Sequence, residues 1–349
     1  MPFRHTSIRK AWRSYPLRVG FFALVWLLAI TAAHLYLNTD REERTVLKMG
    51  YMPVITNLAA PILDAASSNT DVGIRFKAIK FASFAEMAEA LRNREIDAAF
   101  IIAPLSIVLH QQGADVRVVY IGNRHESTLV VRKELAASSL TDLIGRTVAV
   151  PMRYSGHNIA LLQMAAEAGI EQKIDIVEMN PPDMASALAS GALDAYFVGE
   201  PFAAQTLKSG TSELLFYVEE VWPEFICNLL LVKKSYIDDY PDRVQSLVEG
   251  AARSGFWAKL NTTRAAQIAS EYWGQPAELV RYALTTPQNR IVYDRFLPRE
   301  EELGKLAQMM VHFGLSEDEN VEGLVEDRFA KGADVTDVHD FDSILKGRE

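Results

Sequence analysis

Residues 97–104 (DAAFIIAP) and residues 194–201 (DAYFVGEP) share an Asp-Ala start, a phenylalanine and a closing proline, in register at a spacing of 97 positions. Each stretch contains a short, continuous apolar run, which is typical of a strand buried on both faces of a sheet. The same order of predicted elements surrounds both stretches: strand, helix, strand, helix, strand. The repeat therefore predicts two βαβαβ units and an α/β protein with two lobes.

Ligands of open α/β sheets bind just beyond the carboxyl ends of the strands, where helix N-termini present free N–H groups. The predicted strands cover residues 46–50, 73–79 and 98–102 in the first unit, and the second unit begins with a strand at 147–150. If the two lobes face each other, the loops after these strands line one cleft. The loops expected there are residues 51–57, 80–83, 103–106, 151–158, 180–183 and 199–202.

Two further predicted strands, 127–132 (STLVVR) and 228–232 (NLLLV), lie at the boundaries of the units and are expected to cross between the lobes as a two-stranded hinge. After them the apolar spacing becomes helical, at residues 241–259, 264–272, 277–284 and 300–313. The expected division of the body is lobe 1 at 45–126, lobe 2 with the hinge strands at 127–228, a helical part completing lobe 1 at 229–330, and a polar tail at 331–349.

The amino-terminal region carries a long apolar segment. Between Arg18 and Asp40 lie 21 residues without a formal charge, which as a helix would span about 32 Å. Basic residues precede the segment and none follows at once, so we expect a cytoplasmic basic tail at 1–18, a single-pass inner-membrane anchor or uncleaved signal at 19–39, and a soluble part in the periplasm. A signal peptide cleaved near the small residues 31–33 is the alternative.

The composition and the motifs that the chain lacks narrow the function. A net charge of −9 over 349 residues argues against a general nucleic-acid binder. The single cysteine, Cys227, excludes an intramolecular disulfide and a cysteine-rich zinc module. The chain has no P-loop, G-x-G-x-x-G, G-x-S-x-G or H-E-x-x-H motif, and its seven histidines show no metal-ligand spacing. We therefore expect no enzyme, no cofactor and no metal.

From Leu47 to Arg328 the chain resembles the periplasmic substrate-binding proteins of ABC importers for nitrate, sulfonate (including taurine) and bicarbonate. Six segments in order are similar to that family: LKMGYMP, REIDAAFI, STLVVRK, LIGRTVAVP followed by a Ser-Gly-His loop, GALDAYFVGEPFAAQ and VEGLVEDRF. The resemblance implies a type II-like, two-lobed fold that closes by a hinge without catalysis. It also implies delivery of the ligand to a membrane permease that an ATPase subunit powers.

Several residues at the predicted cleft are candidates for ligand contact. Ser155, Gly156 and His157 begin the first helix of the second lobe, so their N–H groups and the serine hydroxyl are suited to an anion or a carbonyl oxygen. A plain helix cap is the alternative for Ser155. Arg153 lies in the same loop and is a candidate partner for an anion; an exposed, solvated side chain is its alternative.

Other candidates come from the remaining loops. Ser106 is expected to donate from the first lobe, and Tyr51 and Thr56 flank the first loop, with helix capping and core packing as the alternatives. His125 precedes the hinge strand and is either a ligand contact or a buried hydrogen-bonding group. Glu200 would repel a bare anion, so it favours an amine or amide, or pairs with Arg153.

The function expected from these observations is that of the extracytoplasmic solute-binding component of an ABC importer. It would capture a small polar or anionic ligand of the nitrate, sulfonate or bicarbonate class by closing its hinge. Two alternatives stay open from the sequence. One is a membrane-anchored ligand sensor with the same fold, and the other is binding of a neutral heterocycle such as a pyrimidine.

Overall fold

The computed structural model describes residues 15–38 and 44–345 and falls into two units, residues 1–45 and 46–349. In the first unit the described part is helix α1, Tyr15–Asn38. Its large apolar side chains between residues 19 and 30 are 46–68% exposed. Over the described residues, no helix combines the length and apolarity that a membrane crossing requires. The anchor expected at 19–39 thus remains a prediction, and residues 1–14 of the expected basic tail lie outside the described residues.

The second unit contains two five-stranded sheets with the same strand arrangement. The first has the order β2-β1-β3-β10-β4 and the second the order β7-β6-β8-β5-β9. Three adjacent strands of each sheet are parallel, and the fourth, β10 or β5, runs antiparallel to both of its neighbours. The strands are β1 Val46–Tyr51, β2 Arg75–Lys80, β3 Ala98–Ile102, β4 Val116–Ile121, β5 Ser127–Arg132, β6 Thr147–Val150, β7 Asp175–Glu178, β8 Ala195–Gly199, β9 Ser212–Tyr217 and β10 Asn228–Lys233.

The repeated Asp-Ala start has the same structural role in both sheets. The Asp97 carboxylate accepts a hydrogen bond from the Lys48 main-chain nitrogen at 2.8 Å, and the Asp194 carboxylate accepts one from that of Thr147 at 3.0 Å. In return, the main-chain nitrogen of Asp97 donates to the Lys48 carbonyl oxygen at 2.9 Å, and that of Asp194 donates to the Thr147 carbonyl oxygen at 3.0 Å. The aspartate therefore fixes the central strand of each sheet, β3 or β8, against the first strand of its unit, and the predicted two-lobed α/β fold is confirmed.

The chain crosses between the sheets twice, at residues 122–126 and 222–227. The structure differs here from the expected two-stranded hinge, because β5 and β10 do not pair with each other. Each is an internal strand of its own sheet, where neighbours on both sides satisfy its main-chain groups. His125 links the two crossovers through its Nε2, which lies 2.9 Å from the Pro223 carbonyl oxygen.

Thirteen described α-helices surround the sheets of the second unit. The four helices predicted after residue 240 agree with the observed helices to within two residues at each end. The helices are α2 Ala59–Ser68, α3 Phe84–Arg92, α4 Ala103–Gln111, α5 Gly156–Glu167, α6 Pro181–Ala189, α7 Phe202–Ser209, α8 Val218–Val221, α9 Lys234–Asp239, α10 Pro241–Leu260, α11 Thr262–Trp273, α12 Ala277–Thr285, α13 Glu300–His312 and α14 Arg328–Gly332.

The segment expected as a polar tail contributes to the core. Val338 and Ile344 are buried within the cluster that covers the first sheet on the side of α10, and Phe341 packs against Trp257 with ring centroids 5.0 Å apart. These apolar residues are isolated among charged ones, so composition alone does not distinguish this packed strap from a solvated tail. Residues 346–349 lie outside the described residues.

Candidate ligand-binding site

The two sheets meet where the loop after β1 contacts the end of β8. The main-chain nitrogen of Ile55 donates a hydrogen bond of 2.8 Å to the Glu200 carbonyl oxygen. One continuous apolar cluster surrounds this contact and draws on both sheets, so the two halves are packed closely together. Its buried members next to the contact include Met52, Val54, Ile102, Ile159, Phe202 and Ile226.

Helix α5 begins at this inter-sheet junction with a capped N-terminus. The Ser155 hydroxyl oxygen accepts a hydrogen bond from the Asn158 main-chain nitrogen at 3.2 Å, and Ser155 is fully buried. Gly156 is required for this packing, because a Cβ atom there would lie 2.6 Å from Cε2 of Phe225. The structure thus shows the capping role of Ser155, while the first N–H groups of α5 form the kind of end that binds anions.

His157 is buried beside this helix end as a neutral imidazole. Its Nε2 lies 2.8 Å from the Ser127 hydroxyl, and its ring makes edge contacts with Phe197 and Phe225 at centroid distances of 5.2 and 5.5 Å. Burial lowers its pKa to about 3. Its Nδ1 is buried without a hydrogen-bond partner among the described residues.

Glu126 joins the Ser127 hydroxyl to the end of β8. One carboxylate oxygen accepts from that hydroxyl at 3.0 Å, and the other accepts from the Glu200 main-chain nitrogen at 2.9 Å. The carboxylate covers Gly199, where a Cβ atom would lie 2.7 Å from Oε2. Burial raises the pKa of Glu126 to about 7, although hydrogen bonds from Cys227 and Ser127 act in the opposite direction. A second buried acid therefore lies next to the predicted Glu200.

The Glu200 side chain bonds to strand β5 and helix α7, and among the described residues no ion pair joins it to Arg153, one of its expected partners. Its Oε1 accepts from the Thr128 hydroxyl at 2.8 Å, and its Oε2 accepts from the Ala204 main-chain nitrogen at 2.7 Å. Burial raises the pKa of this carboxyl, and the nearby Arg290 guanidinium partly offsets that rise. Its two oxygens thus connect the start of α7 to strand β5.

Arg290 supplies the positive charge of this buried region. Its Nε donates to Glu219 at 2.8 Å, its Nη1 donates to the Thr128 hydroxyl at 3.0 Å, and its Nη2 donates to the Ser127 carbonyl oxygen. The guanidinium also lies 4.1 Å from the ring centroid of Tyr217. Arg290 therefore joins the segment after α12 to strand β5 and to helix α8.

Thr56 lies at the junction, against the first crossover. Its hydroxyl is buried without a hydrogen-bond partner among the described residues, and it faces Gly122, where a Cβ atom would lie 2.6 Å away. The neighbouring Asn57 accepts a hydrogen bond of 2.7 Å from the Asn228 side-chain amide. Buried polar contacts thus hold this loop to the base of β10.

Two of the predicted site residues, Tyr51 and Ser106, make their hydrogen bonds elsewhere in the fold. Tyr51 is buried in the cluster on the other face of the first sheet, and its hydroxyl lies 3.4 Å from the Tyr272 carbonyl oxygen. The Ser106 hydroxyl donates to the Ala103 carbonyl within its own helix at 2.7 Å. Neither hydroxyl is directed at Glu200 or at the N-terminus of α5.

Arg153 and His125 lie at the edge of this region. The Arg153 side chain is exposed, with its guanidinium 5.0 Å from the ring centroid of Tyr154. His125 is half-buried and is engaged by the Pro223 carbonyl oxygen. Of the two, Arg153 has the freedom to approach a ligand at the start of α5.

The structure brings together Thr56, the start of α5 and Glu200, all of which the sequence predicts. The connection between them runs through Glu126 and Ser127, which were missed as site residues. The sequence feature that could have identified Glu126 is its position directly before the predicted strand STLVVR, since a charged residue at that place is close to a buried strand. Arg290 was also missed, since the segment TTPQNR carries no strand or helix period.

Among residues 15–38 and 44–345, no group of three or more His, Cys, Asp or Glu side chains is placed to hold a metal ion. Besides the buried carboxyls of Glu126 and Glu200, which are already hydrogen-bonded, the polar groups at the junction include hydroxyls, the first main-chain amides of α5 and the exposed Arg153 guanidinium. Their chemistry suits an oxygen-bearing ligand held by hydrogen bonds.

The model of the NMT1-like family matches residues 40–271. The taurine-binding periplasmic protein of Escherichia coli is 25% identical over 257 residues, which cover 65% of this chain and 78% of that protein.

Solved structures resemble the fold. The ligand-binding component of an ABC-type import system from Staphylococcus aureus superposes with a TM-score of 0.76 at 20% identity, over 84% of this chain and 100% of that one. The desulfurization enzyme DszB superposes with a TM-score of 0.59 at 15% identity, over 82% and 98%. The same fold therefore serves both binding and catalysis in these proteins.

Proposed function

Because the chain belongs to the NMT1-like family, we propose that it is the extracytoplasmic solute-binding component of an ABC importer. A relative named for taurine and a structural neighbour from an ABC-type import system support this function. The ligand is a small polar or anionic compound of the sulfonate, nitrate or bicarbonate class. Its partners are a membrane permease and the ATPase subunit that drives it.

The contact between Ile55 and Glu200 carries this proposal. It lies within the apolar cluster that packs two similar sheets together, and the chain also connects these sheets through the crossovers at 122–126 and 222–227 and through the segment that holds Arg290. In the proposed mechanism, lobe 1 (45–126 and 229–330) and lobe 2 (127–228) rotate about these connections. A ligand that bonds to both lobes favours the closed arrangement over the open one.

The start of α5 is the proposed anion site. Hydrogen bonds to the oxygens of the ligand come from the main-chain N–H groups of Gly156 and His157 and from the Ser155 hydroxyl. Arg153 turns inward and neutralises the negative charge of the ligand. Thr56 donates from the opposite lobe. Tyr51, Ser106, His125 and Glu200, which were also candidates, position the loops around the ligand, since their polar groups are already engaged.

Half-buried Met152, Tyr154 and Met179 border this end of the second sheet and pack against the cluster at the junction. Thioether and aromatic side chains provide an adaptable apolar surface. They favour a ligand that has an organic group beside its anionic head. An alkyl sulfonate is therefore the first compound to test, ahead of nitrate or bicarbonate.

Binding without catalysis is part of the proposal. The only thiol, Cys227, is buried, and burial together with the adjacent Glu126 raises its pKa well above the ordinary value, so it remains protonated. The hydroxyl of Ser127 donates to Glu126 and is enclosed by protein. Neither group is an accessible, activated nucleophile.

We also propose that residues 19–39 hold the protein at the outer face of the cytoplasmic membrane. The support is the apolar, exposed surface of α1 together with the basic residues before it. Cell fractionation of the full chain, beside a form that starts at residue 41, tests this idea. Recovery of both forms in the soluble fraction would refute it.

Ligand binding is tested with the purified full chain in mild detergent. Taurine, alkyl sulfonates, nitrate, bicarbonate and a pyrimidine are compared by thermal shift and calorimetry. A ligand at 100 times its Kd stabilises the folded state by about 2.7 kcal/mol, which is readily measured. Small-angle scattering then tests whether that ligand reduces the radius of gyration.

The variant Arg153→Gln should weaken binding of the active compound at least about fivefold, whereas Arg281→Gln, an exposed change on α12, should not. If no compound of the panel raises the melting temperature or reduces the radius of gyration, the importer function proposed here is wrong.

A further inference from the structure

A cavity of about 880 Å³ lies in lobe 1, away from the junction. It is bounded by the end of α2, the loop before β2 and the first half of α10. Because Ile74 in its wall precedes the start of β2, the cavity is at the opposite end of the first sheet from the loops that contact Glu200. The proposed importer function does not use it.

Among the described residues of the cavity wall, the charged side chains have one sign. Three of its residues, Asp242, Glu249 and Asp342, bear carboxyl groups, and none of its described lining residues is Lys, Arg or His. Asp242 and Asp342 are exposed at its rim, whereas Glu249 is buried. The cavity therefore combines an acidic interior with an acidic mouth.

Glu249 forms no ion pair among the described residues. It is 5% exposed, its Oε1 has no hydrogen-bond partner among the described residues, and its Oε2 accepts only a long bond of 3.4 Å from the Asp334 main-chain nitrogen. Arg253, one turn further along α10, donates instead to the carbonyl oxygens of Ser343, Asp334 and Thr336 at 2.7 to 2.9 Å. A buried carboxylate without a partner is unfavourable, and a bound cation would satisfy it.

We infer that this cavity binds an aliphatic di- or polyamine. One ammonium group bonds to the free oxygen of Glu249, and a second reaches the carboxylates at the rim. The methylene chain between them lies on Ala66, Phe76 and Ile344, which form the apolar part of the wall. A bare metal ion fits less well, since no set of three metal-binding side chains exists among the described residues.

The test uses the full chain with putrescine and spermidine, at matched ionic strength, by calorimetry and thermal shift. We expect saturable binding to the parent protein. Glu249→Gln, which keeps the side-chain shape but removes the charge, should raise the Kd for spermidine at least tenfold. Asp242→Asn should raise it about threefold, and Glu271→Gln, an exposed change on α11, should leave it within twofold.

Folding of Glu249→Gln is checked by its melting temperature, which should equal or exceed that of the parent without amine, because an unpaired buried acid is removed. Taurine binding should be unchanged in this variant, which separates the two sites. Absence of spermidine binding, or equal binding by Glu249→Gln, overturns the proposal. Binding only by a chain shortened to end at Leu345 also overturns it, because the residues after Leu345, which include Lys346 and Arg348, would then be the occupant.

Discussion

The main-chain nitrogen of Ile55 donates a hydrogen bond of 2.8 Å to the carbonyl oxygen of Glu200, so a loop of the first sheet is held directly by the residue that follows β8. The residue after Ile55 is in turn fitted against the crossover at Gly122. Substitutions at these positions test how much this close packing stabilises the folded protein.

Gly122→Ala should destabilise the protein by about 1–3 kcal/mol, because its Cβ would lie 2.5 Å from the Thr56 carbonyl oxygen, a main-chain atom that cannot rotate away. Gly304→Ala is the matched control: it lies within α13, where the nearest atom would be 3.8 Å away. That control should gain roughly 0.5–1 kcal/mol from helix propensity. Urea unfolding measures both, and equal effects would contradict the packing described here.

Arg290→Met should reduce the free energy of unfolding by about 3–5 kcal/mol, because it leaves Glu219 without its partner and Glu200 without its nearest positive charge. Arg281→Met removes an exposed pair with Glu278 and should change it by less than about 1 kcal/mol. Urea unfolding of the two variants is the measurement. A loss at Arg290 no larger than at Arg281 would show that the buried guanidinium is dispensable.

Thr56→Val should leave the protein at least as stable, because the lost hydroxyl has no partner among the described residues. If Thr56 donates to the ligand as proposed, the Kd of the active compound should nevertheless rise about fivefold, the equivalent of one ordinary hydrogen bond. Thr263→Val on the exposed face of α11 is the control for both measurements. An unchanged Kd would remove Thr56 from the site.

The stability of the protein should respond to pH through two opposing buried groups. Glu126 has a pKa of about 7 against an ordinary 4.5, so between these values the folded state holds a proton that the unfolded chain releases, and stability falls as pH rises. His157 has a pKa of about 3 against 6.5, so the unfolded chain holds the extra proton and stability increases with pH over that window. Each effect amounts to about 1.4 kcal/mol per pH unit and proton.

Between pH 4.5 and 6.5 the two contributions nearly cancel. Removing one should therefore expose the other: the unfolding free energy of Glu126→Gln should rise relative to the parent as pH increases, and that of His157→Gln should fall. Urea unfolding at three pH values gives both difference curves. If the difference in unfolding free energy between a variant and the parent did not change with pH, the replaced group would have the same pKa in the folded and unfolded states.

Sequence alone determined the repeated framework. The spacing of 97 between the two Asp-Ala stretches identified the central strands, and the structure shows why the aspartate recurs, since Asp97 and Asp194 each bond to the first strand of their sheet. The helices after β10 were also readable, because their apolar residues follow a local period. Strands β4 and β9 were not identified, and their places in the sheets depend on pairing with β10 and β5, which are distant in the chain.

Tertiary structure decided the rest. Only folding brings Glu126, Ser127 and His157 into one hydrogen-bonded series with Glu200, because these residues come from a crossover and from the ends of different elements. It also places Arg290, 162 positions from Thr128, within 3.0 Å of that hydroxyl. Local patterns record which face of an element is buried, whereas contacts between elements arise from pairing and packing of the whole chain, and no spacing in the sequence encodes them.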